Sequence, residues 1–194
     1  ECAKAIKISG AEIVTVAVRR VNIVDKNTNR KLIGVAPFAA HKSKVYPIDL
    51  MKKVIIELSK KHTIILFGGG VVEKVKLDEI ATISKDIINI ANVYSMDKEL
   101  DIISNLNIMV SMDSANGHLA AMLGVQVVTL WGLTHPYGGF KPFGQELSNS
   151  LYLDKQNFPK VPTSIYGNKI PNGYESAFRS IQPQQVINKV NELI

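Results

Sequence analysis

The sequence predicts a doubly wound α/β domain built on a parallel sheet, and two observations carry that prediction. From residue 31 onward, short apolar runs alternate with stretches whose apolar residues recur at helical spacing, the rhythm of βαβ units. The runs themselves are almost continuously apolar, as strands buried on both faces require. The 194 residues suit one domain, on a prior of about 150 residues per domain. Apolar residues at 46% and charged residues at 21% fit a globular chain and exclude a disordered one. The most apolar stretch, 119–133, is cut by Gly124 and Gln126, whereas a bilayer span needs about 20 apolar residues.

Each element follows from its own residues. Residues 31–36 (KLIGVA) form a strand that Pro37 ends. Pro47 opens the next helix, because its fixed φ and missing N–H suit a first turn. Ile48, Met51, Ile55 and Leu58 recur as that helix's buried face. Residues 63–67 (TIILF) make a second strand running into Gly68, Gly69 and Gly70, and a helix over 71–84 is expected to bury Val72, Val75, Ile80 and Ile83. Residues 87–91 read as a third strand. Ser95 is placed to cap a helix through Asn105, with Asp97 and Glu99 near its positive end. Residues 106–110 (LNIMV) form a fourth strand, 116–123 a helix closed by Gly124, and 125–131 (VQVVTLW) a fifth strand. Beyond Trp131 the rhythm breaks. Residues 132–145 are rich in Gly, Pro and aromatics, 151–153 read as one more strand, and 154–182 show little periodicity. Pro183 begins a terminal helix with Val186, Val190 and Leu193 on one face.

Ahead of this body, 12–18 (EIVTVAV) alternate like a strand and 25–30 (DKNTNR) form a polar turn. Residues 1–30 are therefore an interdomain connection or an edge hairpin, and 31–194 the domain proper. The chain begins with Glu1, and no basic-then-apolar leader precedes the body, so it reads as a piece of a longer protein.

Lysine and arginine number 23 against 17 acidic residues, a formal charge of +6. Such an excess is either a lysine-rich solvated surface or an attraction for phosphates on a nucleotide, a nucleic acid or an anionic membrane face. Aromatics are only 7% and do not interleave with basic residues as base-stacking platforms do, so no nucleic-acid partner is expected. The single Cys2 excludes an internal disulfide or a cysteine metal cluster and suits a reducing, cytoplasmic setting. His41, His62, His118 and His135 lack the H-x-x-x-H spacing of a zinc site, so no metal is expected.

Ligands of open parallel sheets bind beyond the carboxyl ends of the strands, so the segments just after each strand are informative. Residues 113–118 lead from a strand straight into a helix, whose free N–H groups and dipole favour a phosphate without a metal. Ser114 can add a hydroxyl and His118, one turn in, an imidazole; alternatively Asp113 or Ser114 caps the helix and His118 is simply half-buried. Lys44, in a loop with His41 and Lys42, can meet a diphosphate as a point charge or remain an ordinary surface lysine. Gly69, within the glycine triplet, allows close approach of a ligand or a tight turn. The triplet is neither a P-loop nor a G-x-G-x-x-G fingerprint. Glu73 can hold a ribose hydroxyl or stabilise a helix dipole. His135, before Pro136, is either a substrate contact or loop packing.

Residues 113–121 (DSANGHLAA) resemble the D-S-G-x-x-H-x-A-A signature of the heptosyltransferase family, glycosyltransferase family 9. Residues 37–47 resemble its P-x-A…K-x-W-P segment, with Lys44 at the lysine and Tyr46 at the aromatic position. Residues 64–73 resemble its strand-glycine-glutamate stretch, and 127–136 (VVTLWGLTHP) its V-x-L-x-G-x-T-x-P segment. The match covers residues 31–145. Ala115 stands where the family has glycine, and 154–173 carry none of the cysteines found in some relatives.

The resemblance implies the C-terminal, donor-binding half of a GT-B glycosyltransferase made of two Rossmann-like domains. Lys44 would contact the donor diphosphate, Asp113, Ser114 and His118 would line its phosphate and sugar end, and Glu73 would meet the ribose. Residues 92–96 would lie near the base, and Gly69 and His135 complete the expected donor-binding set. The reaction implied is transfer of heptose from ADP-heptose to a lipopolysaccharide core acceptor, with inversion and without a metal or other cofactor. The lipid-linked acceptor would be met through the N-terminal half, at the cytoplasmic side of the inner membrane and in peripheral contact with it. The family's general base is an aspartate of that half, so this chain alone is expected to bind donor but hardly to catalyse. Two alternatives are a GT-B-like sugar-nucleotide epimerase and a non-catalytic nucleotide-binding module.

Overall fold

A computed structural model describes residues 29–194 in full and, before them, the backbone of two strands, β1 (Cys2–Ile6) and β2 (Val14–Val18). These two pair antiparallel in a two-stranded sheet of their own. Most of the polar turn expected at 25–30 lies outside the described residues.

The body is a six-stranded sheet made of β3 (Leu32–Ala36), β4 (Thr63–Leu66), β5 (Ile87–Asn89), β6 (Ile108–Met112), β7 (Gln126–Trp131) and β8 (Ser150–Tyr152). Every neighbouring pair is parallel, in the order β5-β4-β3-β6-β7-β8. The chain thus winds outward from β3 to β5, returns to lay β6 beside β3, and continues in the opposite direction. This is the doubly wound, Rossmann-like order that the apolar runs predict. The reversal places a topological switch point between β3 and β6, where Ala36 stands opposite Ser111 and the loops leaving the two strands diverge.

Among the described residues, five helices connect the strands or cover the sheet: α1 (Ile48–Ser59), α2 (Gly70–Ala81), α3 (Met96–Ser104), α4 (Ala115–Met122) and α5 (Pro183–Leu193). Successive strand residues point to opposite faces, so the core divides in two. Ile33, Val35, Ile64, Leu66, Ile108 and Val110 pack with α1, α5 and the buried residues of α2. Ala36, Ile65, Phe67, Met109 and Val127 pack with α3 and α4. No helix among the described residues is long and apolar enough to cross a membrane.

Tyr46 ties the irregular 154–182 segment to this core. Its ring is wholly buried and meets Phe178 edge-on at 5.3 Å, while its hydroxyl donates to the Ile181 carbonyl at 2.6 Å. Burial, helped by the negative charge of Asp49, pushes the hydroxyl up to about 12, so it remains a donor. Next to it, Arg179 clasps both oxygens of Asp49, at 2.9 and 2.6 Å.

The structure corrects several local expectations. In α1 the buried stripe is Leu50, Met51, Val54, Ile55 and Leu58, and Ile48 is exposed because it falls to one side of that stripe. In α2, Leu77 and Ile80 face the sheet. Val72 and Val75 sit on the opposite side of the helix and Ile83 beyond its end, all exposed. Valines at helical spacing identify a helix but not the face that finds a partner. The β6 strand begins at Ile108, because Asn107 is already engaged: its side chain accepts from Leu32 N at 2.8 Å. The β5 strand stops at Asn89, whose side-chain oxygen accepts from Ala91 N at 3.0 Å and turns the chain. Ser95 takes the N-cap position of α3, but its side chain makes no capping bond.

Candidate functional site

The switch point holds a cavity of about 430 Å³. Its walls come from the segment after β3, including Phe38 and Lys44, from the start of α2 through Glu73, and from the β6–α4 junction through Asp113, Ser114 and His118. Phe140, from the loop after β7, closes one side.

Lys44 and Asp113 meet there. Lys44 Nζ lies 2.8 Å from Asp113 Oδ2, and the side chains are only 13% and 4% exposed. Thr134 Oγ1 donates to the same carboxylate oxygen at 3.0 Å. A carboxylate this deeply buried needs such compensation, and here a cation and a hydroxyl supply it. A lysine ammonium has three donors, so Lys44 can keep Asp113 and still offer N–H groups to a ligand in the cavity.

The α4 terminus faces the same space. Ser114 occupies its N-cap with extended backbone, yet no side chain caps the first-turn amides, and Ala115 and Asn116 both line the cavity. The helix therefore presents unpaired N–H groups and the positive end of its dipole. The Ser114 hydroxyl lies 3.1 Å from that of Ser111, and either of the two can donate, so the Ser114 proton is free to turn toward a ligand in the cavity while its oxygen accepts from Ser111. Gly117 keeps this junction tight, since a Cβ there would lie 3.2 Å from Ser111 Oγ.

Glu73 lines the cavity while its Oε2 accepts from Gly69 N at 2.7 Å, so it steadies the first turn of α2. Gly69 does not itself line the cavity, and a Cβ added there would meet nothing within 4 Å. Among the three glycines the backbone demand falls on Gly70, whose φ of +75° is left-handed. Its N–H donates to Asn92 Oδ1 at 3.3 Å. Residues 93, 94 and 96, expected near a base, carry exposed side chains and do not line this cavity.

His135 also lies elsewhere. It is 4% exposed, its Nδ1 accepts from Tyr137 N at 3.3 Å, and its ring lies 4.8 Å from both Tyr137 and Tyr152. Burial, aided by the nearby charge of Lys155, holds its pKa below the usual histidine value. Its position is one of loop packing.

The structure thus brings together Lys44, Glu73, Asp113, Ser114 and His118 and leaves Gly69 and His135 outside. It adds Thr134 and Phe140, which the sequence reading did not single out. Thr134 had a visible signal in the T-x-P segment after β7; Phe140 had none. A cation, an uncapped helix terminus, a hydroxyl and an imidazole around one cavity make an anion site suited to a polyphosphate.

Comparison with known proteins identifies the family. The family model described as glycosyltransferase family 9 (heptosyltransferase) matches residues 12–168. A curated relative, lipooligosaccharide heptosyltransferase 2 of Campylobacter jejuni, is 24% identical over 170 residues, 85% of this chain. The chain spans about half (51%) of that protein's length. Among solved structures, the Escherichia coli heptosyltransferase WaaC with ADP superposes with a TM-score of 0.63 at 16% identity, over 85% of this chain and 45% of that one. That likeness shows the fold. A stretch of 26 residues, 13% of this chain, is 92% identical to 10% of the thiazole synthase of Pelagibacter ubique. It is shorter than a single βαβ unit of roughly 30 residues. The family indicated by the 113–121 signature is borne out: the chain belongs to glycosyltransferase family 9, the heptosyltransferases.

Proposed function

We propose that this chain is the donor-binding half of an inverting, metal-independent heptosyltransferase that takes ADP-heptose as donor and a lipopolysaccharide core as acceptor. One observation carries the donor role: the Lys44–Asp113 pair and the uncapped start of α4 share one cavity at the switch point. The family membership, the ADP named with the WaaC structure and the acceptor class in the Campylobacter relative's name support the substrates.

In transfer with inversion, an acceptor hydroxyl forms a bond to the anomeric carbon as the bond from that carbon to the diphosphate oxygen breaks on the opposite face. Negative charge then develops on the departing ADP. Lys44, the first amides of α4, Ser114 and His118 stabilise that charge in place, which is the electrostatic work a metal would otherwise do. Asp113 and Thr134 hold Lys44 in position, and Glu73 receives a ribose hydroxyl. The base that takes the acceptor proton belongs to the remaining half of the longer protein, which also meets the lipid-linked acceptor at the cytoplasmic side of the inner membrane.

The test is calorimetric titration of the purified chain with ADP, UDP and GDP, each with and without EDTA. ADP-selective, EDTA-insensitive binding is expected. A preference for UDP or GDP contradicts the donor, loss of binding in EDTA contradicts metal independence, and no binding of any of them contradicts the site.

A further inference from the structure

The irregular segment between β8 and α5 shows no motif, yet it reaches the cavity. Thr163 N donates to the Leu133 carbonyl at 2.9 Å, and Thr163 Oγ1 donates to the Lys169 carbonyl at 2.7 Å. Residues 163–169 are thereby closed into a compact loop fastened to the end of β7. Ser43 Oγ donates to the Gly167 carbonyl, latching the loop to the residue beside Lys44. The Tyr166 ring lies 5.9 Å from the Phe140 ring, and Lys44 Nζ lies 6.0 Å from the Phe140 centroid.

Gly167 rests directly on the lysine. A Cβ built on it would lie 2.8 Å from Lys44 Cε, 2.9 Å from Lys44 Cγ and 3.0 Å from Ser43 Oγ. No real Cβ tolerates the first two distances, so the bare glycine backbone is what fits against the aliphatic stem. Its φ of +76° is left-handed as well.

We infer that residues 163–169 form a strap whose Gly167, latched by Ser43, is a positioning residue for Lys44. This rests on the nucleotide-binding role proposed above. A free lysine stem has many rotamers, and fixing them on binding weakens affinity unless they are already fixed. Here the stem is covered by Gly167 and the ammonium is held by Asp113, so the cation is aimed before a diphosphate arrives.

Gly173 provides an internal control, because its φ of +84° is equally left-handed but a Cβ there would meet nothing within 4 Å. Gly167→Ala and Gly173→Ala therefore carry comparable backbone strain, and only the first displaces Lys44. ADP affinity and melting temperature would be measured for both, for Lys44→Ala, and for Lys44→Ala combined with Gly167→Ala. Gly167→Ala is expected to weaken ADP binding about 5- to 10-fold, Gly173→Ala to leave it unchanged, and the combined variant to bind no worse than Lys44→Ala alone. Ser43→Ala, which removes the latch without strain, is expected to give a smaller loss of about 2- to 3-fold and serves if Gly167→Ala does not fold. The strap is overturned if Lys44→Ala weakens binding while neither Gly167→Ala nor Ser43→Ala does. It is equally overturned if Gly167→Ala weakens the lysine-less variant as much as the parent. An unchanged affinity in Lys44→Ala would instead overturn the donor site on which the strap depends.

Discussion

Lys44→Ala is expected to lower ADP affinity about 10- to 100-fold, since a hydrogen bond to a charged group contributes about 1.5–3 kcal/mol. Two effects act in the same direction. The cation that would face the diphosphate is lost, and the Asp113 carboxylate, held by Lys44 at 2.8 Å, keeps only Thr134 among these two partners. An unneutralised carboxylate in the cavity wall repels a phosphate as surely as the lysine attracts it. Calorimetry with ADP measures the change, with a melting curve to show that the variant is folded. A folded variant with unchanged affinity would remove Lys44 from the site.

A second large effect is expected at Gly132, and it concerns folding. A Cβ built there would collide with the Ser43 carbonyl oxygen and lie 2.7 Å from Phe178 Cδ1. Neither neighbour can yield readily. The Ser43 carbonyl accepts from Leu133 N at 3.0 Å, and the Phe178 ring is buried against Tyr46. Gly132→Val should therefore cost about 3–5 kcal/mol, at the severe end for overpacking because one clash is with backbone. Against a typical total stability of about 5–15 kcal/mol, that is a large fraction. The measurement is the denaturant midpoint of the variant beside its parent. A loss below about 1 kcal/mol would mean that β7 and the Lys42–Lys44 turn do not approach each other as described.

The parts of the molecule legible in the sequence are those where local pattern and tertiary context coincide. The apolar runs of β3, β4 and β7 are buried on both faces, so they announce themselves with ends correct to within a residue. The 113–118 stretch was legible for a related reason: a strand that passes directly into a helix places the helix start on the ligand-binding rim wherever the sheet goes. The exposed valines of α2 show the converse. Their spacing is helical, but which face meets the sheet is decided by the path of the chain, and Leu77 and Ile80 win that contest. His135 stands at the right rim, yet its ring is taken up by Tyr137 and Tyr152, partners that no spacing indicates. Gly167 falls in the stretch of little periodicity; that it lies on Lys44, more than a hundred residues earlier, appears only in three dimensions.

A nucleoside diphosphate seated between the β3 and β6 loops is tested by following backbone amide resonances during titration with ADP. Saturating shifts should be largest at Ala115, Asn116 and Gly117 in the first turn of α4 and at residues 42–45, with weaker changes near Gly69 and Gly70. Shifts that leave the α4 amides still and gather elsewhere, for example in the groove between α1 and α5 lined by Glu57, His62 and Gln184, would contradict it.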